Sequence, residues 1–253
     1  MRFLRFKNEQ YKDQLKKIPH NFAVSHDEEK GESTLTVYGV IGDSWWDDST
    51  SANDVDKAIA LAGSNDLVIH LNSPGGDAFD GIAIYNRLMN HKSKHGAKVT
   101  IHVDGWACSA ASVIAMAADE LIMGIGAMLM IHEASNIVWG TKSEMRKEAD
   151  LLEKLEDGII DAYMTKANVE RDEIRRMVDE ETWFSGSEAL GIGFATSTAS
   201  SVEDKDDEVT QLKAQMNAMQ NELNQYKSKQ SEPKVPVNKK HGAFFDFNNR
   251  GNK

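Results

Sequence analysis

One proline, Pro74, interrupts the stretch from Ser33 to Thr196, and Gly75-Gly76 follow it at once. The other three prolines, Pro19, Pro233 and Pro236, lie towards the two ends of the chain. Text this poor in proline lets helices and strands run on, so Pro74-Gly75-Gly76 marks the sharpest enforced turn of the stretch. It sits directly after the apolar run 67–71 (LVIHL) and before a helical pattern over 77–90. The same alternation continues on either side. Residues 34–41, 98–103 and 128–131 read as strands of buried character, and 53–62 and 109–118 as helices. Strands alternating with helices predict βαβ units and a largely parallel sheet, hence an α/β fold.

Residues 141–167 read as a longer helix. Thr141 and Glu144 have capping-box spacing, and Met145, Leu152, Leu155, Ile159 and Tyr163 form an apolar stripe. The composition changes near residue 200: residues 202–208 carry five acids against one lysine. Val209, Leu212, Met216, Met219, Leu223 and Tyr226 then follow at spacings of 3-4-3-4-3, a heptad seam. It is short for a coiled coil, and a surface helix docked on the body fits equally well. Residues 228–253 are polar and lysine-rich apart from Phe244-Phe245-Asp246-Phe247 and read as a disordered basic tail. The expected organisation is an N-terminal segment over 1–32, a main domain over 33–200, an acidic linker and amphipathic helix over 201–227, and the tail over 228–253.

The net charge of −11 is uneven, with −12 on residues 1–200 and +1 on the remainder. A net anion is a poor default partner for nucleic acid, because phosphate repulsion has to be overcome locally. Cys108 is the one cysteine, so an internal disulfide is excluded and a reducing, cytoplasmic setting is expected. No run approaches the ~18–20 apolar residues that span a bilayer. The basic start, Met1-Arg2-Phe3-Leu4-Arg5-Phe6-Lys7, lacks the apolar segment of a signal peptide.

Four places carry candidate chemistry. In Asn72-Ser73-Pro74-Gly75-Gly76-Asp77, adjacent glycines permit positive φ, so backbone N–H groups can point into a cleft. The text lacks the Lys-Ser/Thr of a P-loop, and a plain tight turn remains the competing reading. In Gly105-Trp106-Ala107-Cys108-Ser109-Ala110-Ala111-Ser112, Ser109 falls at a strand–helix junction crowded by small residues. That junction serves either a nucleophile or mere packing, and Cys108 reads as a small buried hydrophobe. His132, one of eight histidines, ends an apolar run, where a base for a serine nucleophile or a structural histidine would both fit. Finally, the acids Asp179, Glu180 and Glu181 precede the apolar pair Trp183-Phe184, where one of them could orient a histidine. No His/Cys spacing matches a zinc site, and no metal or cofactor is expected.

Read together, these segments resemble the Clp protease proteolytic subunit family, serine peptidases of the Clp/crotonase fold. The resemblance rests on Asn72–Gly76 (N-S-P-G-G), Gly105-x-Ala107-x-Ser109, Met130-Ile131-His132, and a Phe184-Ser185 segment followed by Glu188-Ala189-x-x-x-Gly193. It spans about residues 34 to 196. It implies a spiral of ββα repeats with a protruding handle helix over 141–167, to which this chain adds a C-terminal helical tail. It further implies Ser109 as nucleophile, His132 as general base and the N–H groups of Gly76 and Ala110 as oxyanion hole. The family's third triad residue is Asp; anchoring on Phe184-Ser185 puts Glu181 there, with Asp179 and Glu180 as fallbacks.

The resemblance also implies polypeptide substrates, a homo-oligomeric ring and, as a further partner, an AAA+ unfoldase. The N-terminal text and the extension past residue 200 depart from the housekeeping subunit and fit the phage and prophage relatives that mature capsid or scaffold proteins inside a procapsid. Two other functions compete. One is a catalytically silent assembly protein working through its heptad tail, and the other is an acyl-CoA enzyme of the crotonase type. Fluorophosphonate labelling at Ser109 separates the peptidase from the first, and retention on immobilised CoA marks the second.

Overall fold

The computed structural model describes residues 18–42 and 48–199, together with Met219. The chain divides into two compact units, Met1–Asp204 and Lys205–Lys253. The predicted tail helix and basic end therefore lie outside the described residues, Met219 excepted.

The first unit is an α/β sheet. Strands β1 (Asn21–Asp27) and β2 (Glu32–Tyr38) form an antiparallel pair, followed by the short parallel pair β3 (Val40–Ile41) and β4 (Ser49–Thr50). Helix α1 (Ala52–Ala62), β5 (Asp66–Ser73), α2 (Ala78–His95), β6 (Val99–Cys108), α3 (Ala110–Ala115) and β7 (Glu120–Met123) continue the alternation. After β8 (Met128–Ile131) come α4 (Lys142–Met164), α5 (Arg171–Glu180), β9 (Thr182–Ser185), α6 (Gly186–Gly191) and β10 (Ser197–Thr198). The main sheet runs β1-β2-β5-β6-β7-β10, parallel from β2 onward, with β8 against β6 and β9 antiparallel to β8. Within the described residues the α/β fold and the elements expected between 34 and 167 are present, the run 34–41 as two strands, β2 and β3. Strands β1, β4, β7, β9 and β10 and helices α5 and α6 are additions that local periodicity did not single out.

The core forms because alternate strand residues, among them Leu35, Leu67, Ile69, Leu71, Val99, Ile101 and Val103, pack with Val55 and Ile59 of α1 and Ile84 and Leu88 of α2. The helices start where their caps dictate. Ser51 with Asp54, and Thr141 with Glu144, make complete capping boxes, and Asp77 caps α2 by accepting from the Phe79 and Asp80 N–H groups. The opposite face of β2, β5 and β6 is less enclosed than buried strands require. Its Thr36, His70 and His102 are half-buried.

Two features of β6 position the site. Its first half, Thr100–Val103, pairs with β7, and its second half, Trp106–Cys108, pairs with β8. Where it changes partner it carries extra residues relative to β5, so Leu71 lies across from Val103 but Ser73 from Ala107. The Asn72 side chain fills that irregularity, its Oδ1 accepting from the Trp106 N–H at 3.0 Å. A Cβ on Gly105 would lie 2.8 Å from the same oxygen, so only glycine fits there without a shift. The irregularity redirects the end of β6 so that it runs beside β8.

Helix α4 has a split environment. Residues 142–151 are almost wholly exposed, whereas Ile159, Ile160, Ala162 and Tyr163 pack into the core. Its first half stands clear of the body as a handle.

Candidate active site

Strands β6 and β8 are parallel neighbours with Cys108 across from Met130, so they end side by side. The residues just past those ends are therefore brought together from 23 positions apart in sequence: Ser109 Oγ and His132 Nε2 are 2.8 Å apart. The junction is held from both directions. The Ser109 N–H donates to the Met130 carbonyl at 2.9 Å, and the Ser109 carbonyl accepts from Ser112 Oγ at 2.6 Å. Ser109 has φ 55° and ψ −124°, an uncommon conformation for a residue with a side chain, at the turn from β6 into α3. The turn lifts its hydroxyl out of the strand and leaves the N–H groups that open α3 without partners inside the helix.

The Pro74-Gly75-Gly76 turn lies against this junction. Gly75 and Gly76 have φ 87° and 151°. A Cβ on Gly75 would sit 2.5 Å from the Cys108 carbonyl and 2.9 Å from the Ala110 nitrogen; one on Gly76 would sit 2.0 Å from the Ile41 carbonyl. Both glycines are thus required by conformation and by contact. The turn is tied down by Ile41 N–H to the Gly75 carbonyl and Asp77 N–H to the Ile41 carbonyl, both 2.9 Å, and by Gly75 N–H to the buried Ser73 Oγ at 3.0 Å. Gly76 and Ala110 consequently belong to backbone segments packed around one serine.

The three candidate acids separate by burial. Asp179 and Glu180 are exposed at the end of α5, where Glu180 pairs with Arg176 at 3.1 Å. Glu181 is buried and closes α5 in the left-handed region at φ 58°. The β8–β9 register pairs Ile131 with Thr182, so His132 and Glu181 are the residues immediately beyond its last pair. Glu181 Oε1 accepts from Trp183 Nε1 at 3.2 Å, and Trp183 meets Trp106 edge to face, with ring centroids 5.4 Å apart. An acid at this place can hold an imidazole in one tautomer and stabilise its charged form.

Cys108 is fully buried beside Met130, and burial, helped by the Glu181 charge, pushes its thiol well above the ordinary range. It stays a protonated packing group, as its small-hydrophobe reading implied. Among the described residues, no group of three or more His, Cys, Asp or Glu is placed to hold a metal ion.

Sequence reasoning missed two supports. Tyr163, read only as part of the α4 stripe, is fully buried with its hydroxyl 2.8 Å from Ser112 Oγ, joining α4 to the turn under Ser109. Glu156 lies on the same stripe, four residues after Leu152 and three before Ile159. Its position among apolar residues was the available signal. It accepts from the Ala134 N–H at 2.9 Å and from Arg175 Nη1 at 2.7 Å.

A serine hydroxyl on an imidazole nitrogen, beside a turn rich in backbone donors, contains the parts of a nucleophilic acyl-transfer site on an α/β fold. Comparison with known proteins narrows that class. The Clp protease family model matches residues 44–202. The ATP-dependent Clp protease proteolytic subunit of Deinococcus radiodurans is 28% identical over 152 residues, covering 58% of this chain and 72% of the relative. Proteolytic subunit 1 of Protochlamydia amoebophila is 26% identical over 165 residues, covering 62% and 78%. A ClpP1 point mutant from Listeria monocytogenes shares the fold with a TM-score of 0.55 at 22% identity, over 65% of this chain and 90% of that one. The chain belongs to the Clp protease family, and its sheet and handle helix are those of the Clp/crotonase-like fold.

Proposed function

We propose that the chain is a serine endopeptidase that hydrolyses peptide bonds of polypeptide substrates with Ser109, His132 and Glu181. The observation that carries the reading is the 2.8 Å contact between Ser109 Oγ and His132 Nε2 at the strained turn into α3. His132 takes the hydroxyl proton as Ser109 Oγ attacks the scissile carbonyl carbon, forming a tetrahedral oxyanion. The N–H groups of Gly76 and Ala110 donate to that oxyanion, a contribution of about 10²–10³-fold for a donor of this kind. His132 returns the proton to the leaving amine, and water attacks the acyl-serine by the reverse steps. Glu181 holds the imidazole across the β8–β9 register. No cofactor is required.

The reading extends to a homo-oligomeric ring enclosing the active sites. The apolar residues Ile137 and Trp139, and Met145 and Leu151 on the projecting half of α4, are exposed on the single chain, as surfaces awaiting other copies would be. The setting proposed is cytoplasmic; among the described residues no helix is long and apolar enough to cross a membrane. Within the class, the extension past residue 200 favours a maturation-type enzyme that trims capsid or scaffold proteins over one that depends on an AAA+ unfoldase.

A fluorophosphonate probe tests the central step. Wild-type protein is expected to gain one probe mass at Ser109, and Ser109→Ala none. Wild-type protein that assembles but neither labels nor cleaves casein supports the silent assembly protein instead. Cleavage of folded or unfolded substrate without added ATPase supports the maturation reading, and strict dependence on an unfoldase overturns it.

A further inference from the structure

His132 stands at the root of a segment with little structure of its own. Residues 132–139 form neither helix nor strand, and most of them are exposed. A base in that situation needs a support beyond β8, since a misplacement of about 1 Å can cost on the order of 10²-fold in rate. Glu156 provides one. Its Oε1 accepts from the N–H of Ala134, two residues past His132, at 2.9 Å. Its Oε2 accepts from Arg175 Nη1 at 2.7 Å, while Arg175 Nη2 donates to Asp157 Oδ1, also at 2.7 Å. Arg175 belongs to α5, the helix that ends at Glu181. One carboxylate therefore joins the chain leaving His132, the packed half of α4, and the helix that leads to the candidate acid.

We propose that Glu156 is a positioning residue, clamped by Arg175, that holds the His132 segment so that the imidazole meets Ser109. This deepens the serine-peptidase reading and rests on it. The location of Glu156 argues against a role in stability alone. It occupies a stripe position where an apolar residue would be favoured, and it is buried. Burial pushes its carboxyl above the usual range, and the neighbouring Glu133 pushes the same way; the Ala134 N–H and Arg175 pull it down without cancelling the shift. An acid whose folded value lies above its unfolded one costs the fold stability when ionised. A local rule broken at a net cost marks a position with work to do at the site.

The full chain carrying Glu156→Leu or Glu156→Gln tests the proposal with three readouts: melting temperature, the rate constant for fluorophosphonate labelling of Ser109, and the rate of diethyl pyrocarbonate modification of His132 measured by peptide mass. Glu156→Leu is expected to melt no lower than wild type, to label about 10- to 100-fold more slowly, and to expose His132 to several-fold faster modification. Glu156→Gln keeps an oxygen acceptor for the Ala134 N–H and is expected to recover most of the labelling rate. Wild-type labelling in Glu156→Leu overturns the proposal. So does a loss that the glutamine does not rescue while His132 reactivity is unchanged. If Glu156→Leu does not fold, Arg175→Gln reads the same clamp from α5: slower labelling and faster His132 modification sustain it, and unchanged rates overturn it. If wild-type protein never labels, the peptidase reading fails, and the His132 modification rates in wild type and variant still decide whether Glu156 holds the segment.

Discussion

Two regions of the sheet carry histidine and carboxylate residues, and one of them holds the catalytic site we propose. Just past the ends of β6 and β8, Ser109 Oγ and His132 Nε2 are 2.8 Å apart, and Glu181 immediately precedes β9, the strand paired with β8. On the half-open face of β2, β5 and β6, His70 Nδ1 lies 2.9 Å from Asp104 Oδ2, Tyr38 donates to the same oxygen at 2.7 Å, and His70 stacks on His102 with ring centroids 5.2 Å apart. The second cluster has more titratable groups, with Tyr38, His70, His102 and Asp104 together. Its histidines sit mid-strand, paired as Thr36–His70–His102 across the register, so the backbone beneath them is already spent on the ladder. At a strand end the ladder stops, a helix begins, and N–H groups become available to developing charge. Backbone termination, rather than side-chain inventory, separates the two places.

The largest expected effect tests that contrast directly. Ser109→Ala or His132→Ala should lower probe labelling and peptide turnover on the order of 10³-fold or more. His70→Ala combined with His102→Ala should leave both within about twofold, as changes away from a site usually do. A large loss in the double variant would break the comparison. Next is the turn. Gly76→Ala forces a Cβ to within 2.0 Å of the Ile41 carbonyl, so the turn must move, and acylation should fall by about 10²–10³-fold. Stopped-flow acylation alongside a melting curve separates a misplaced donor from an unfolded chain.

The acid comes third. Glu181→Gln is expected to reduce kcat/KM by about 10²-fold, while Asp179→Asn and Glu180→Gln stay within about twofold because both side chains point to solvent. Equal losses at all three would remove the register argument for Glu181. The smallest effect belongs to the open face. Burial, then the neighbouring His70, holds His102 below its ordinary value of 6.5. Between its folded value and 6.5 the unfolded chain binds the proton more readily, so stability falls as pH drops below about 6.5. His102→Gln should flatten that fall in melting temperature and leave labelling at pH 7.5 unchanged, tying the cluster to stability and the strand ends to chemistry.

Much of this was legible in advance because it is local. A turn of Pro74-Gly75-Gly76 after an apolar run, small residues around Ser109, and the Thr141–Glu144 capping box each declare themselves within a few residues. The choice among Asp179, Glu180 and Glu181 was not local. Our proposal of Glu181 rests on the left-handed closure of α5 there and on a register set by β8, some fifty residues earlier. Tyr163 and Glu156 were hidden for a similar reason: a helical stripe shows which side is buried, not which hydroxyl or carboxylate finds a distant partner. The buried character expected of the strands holds for β8 and for one face of β2, β5 and β6, whose other face is half-buried.

By itself the sequence determined the α/β alternation, the one enforced turn and the kinds of residue available for acyl transfer. Only the tertiary structure decided that β6 changes partner from β7 to β8 at Asp104-Gly105, and with that, that Ser109 lies 2.8 Å from His132. The physical reason is one of range. Turns and caps are settled by steric limits within four or five residues, whereas strand pairing is settled by which apolar faces can be buried together across the whole chain.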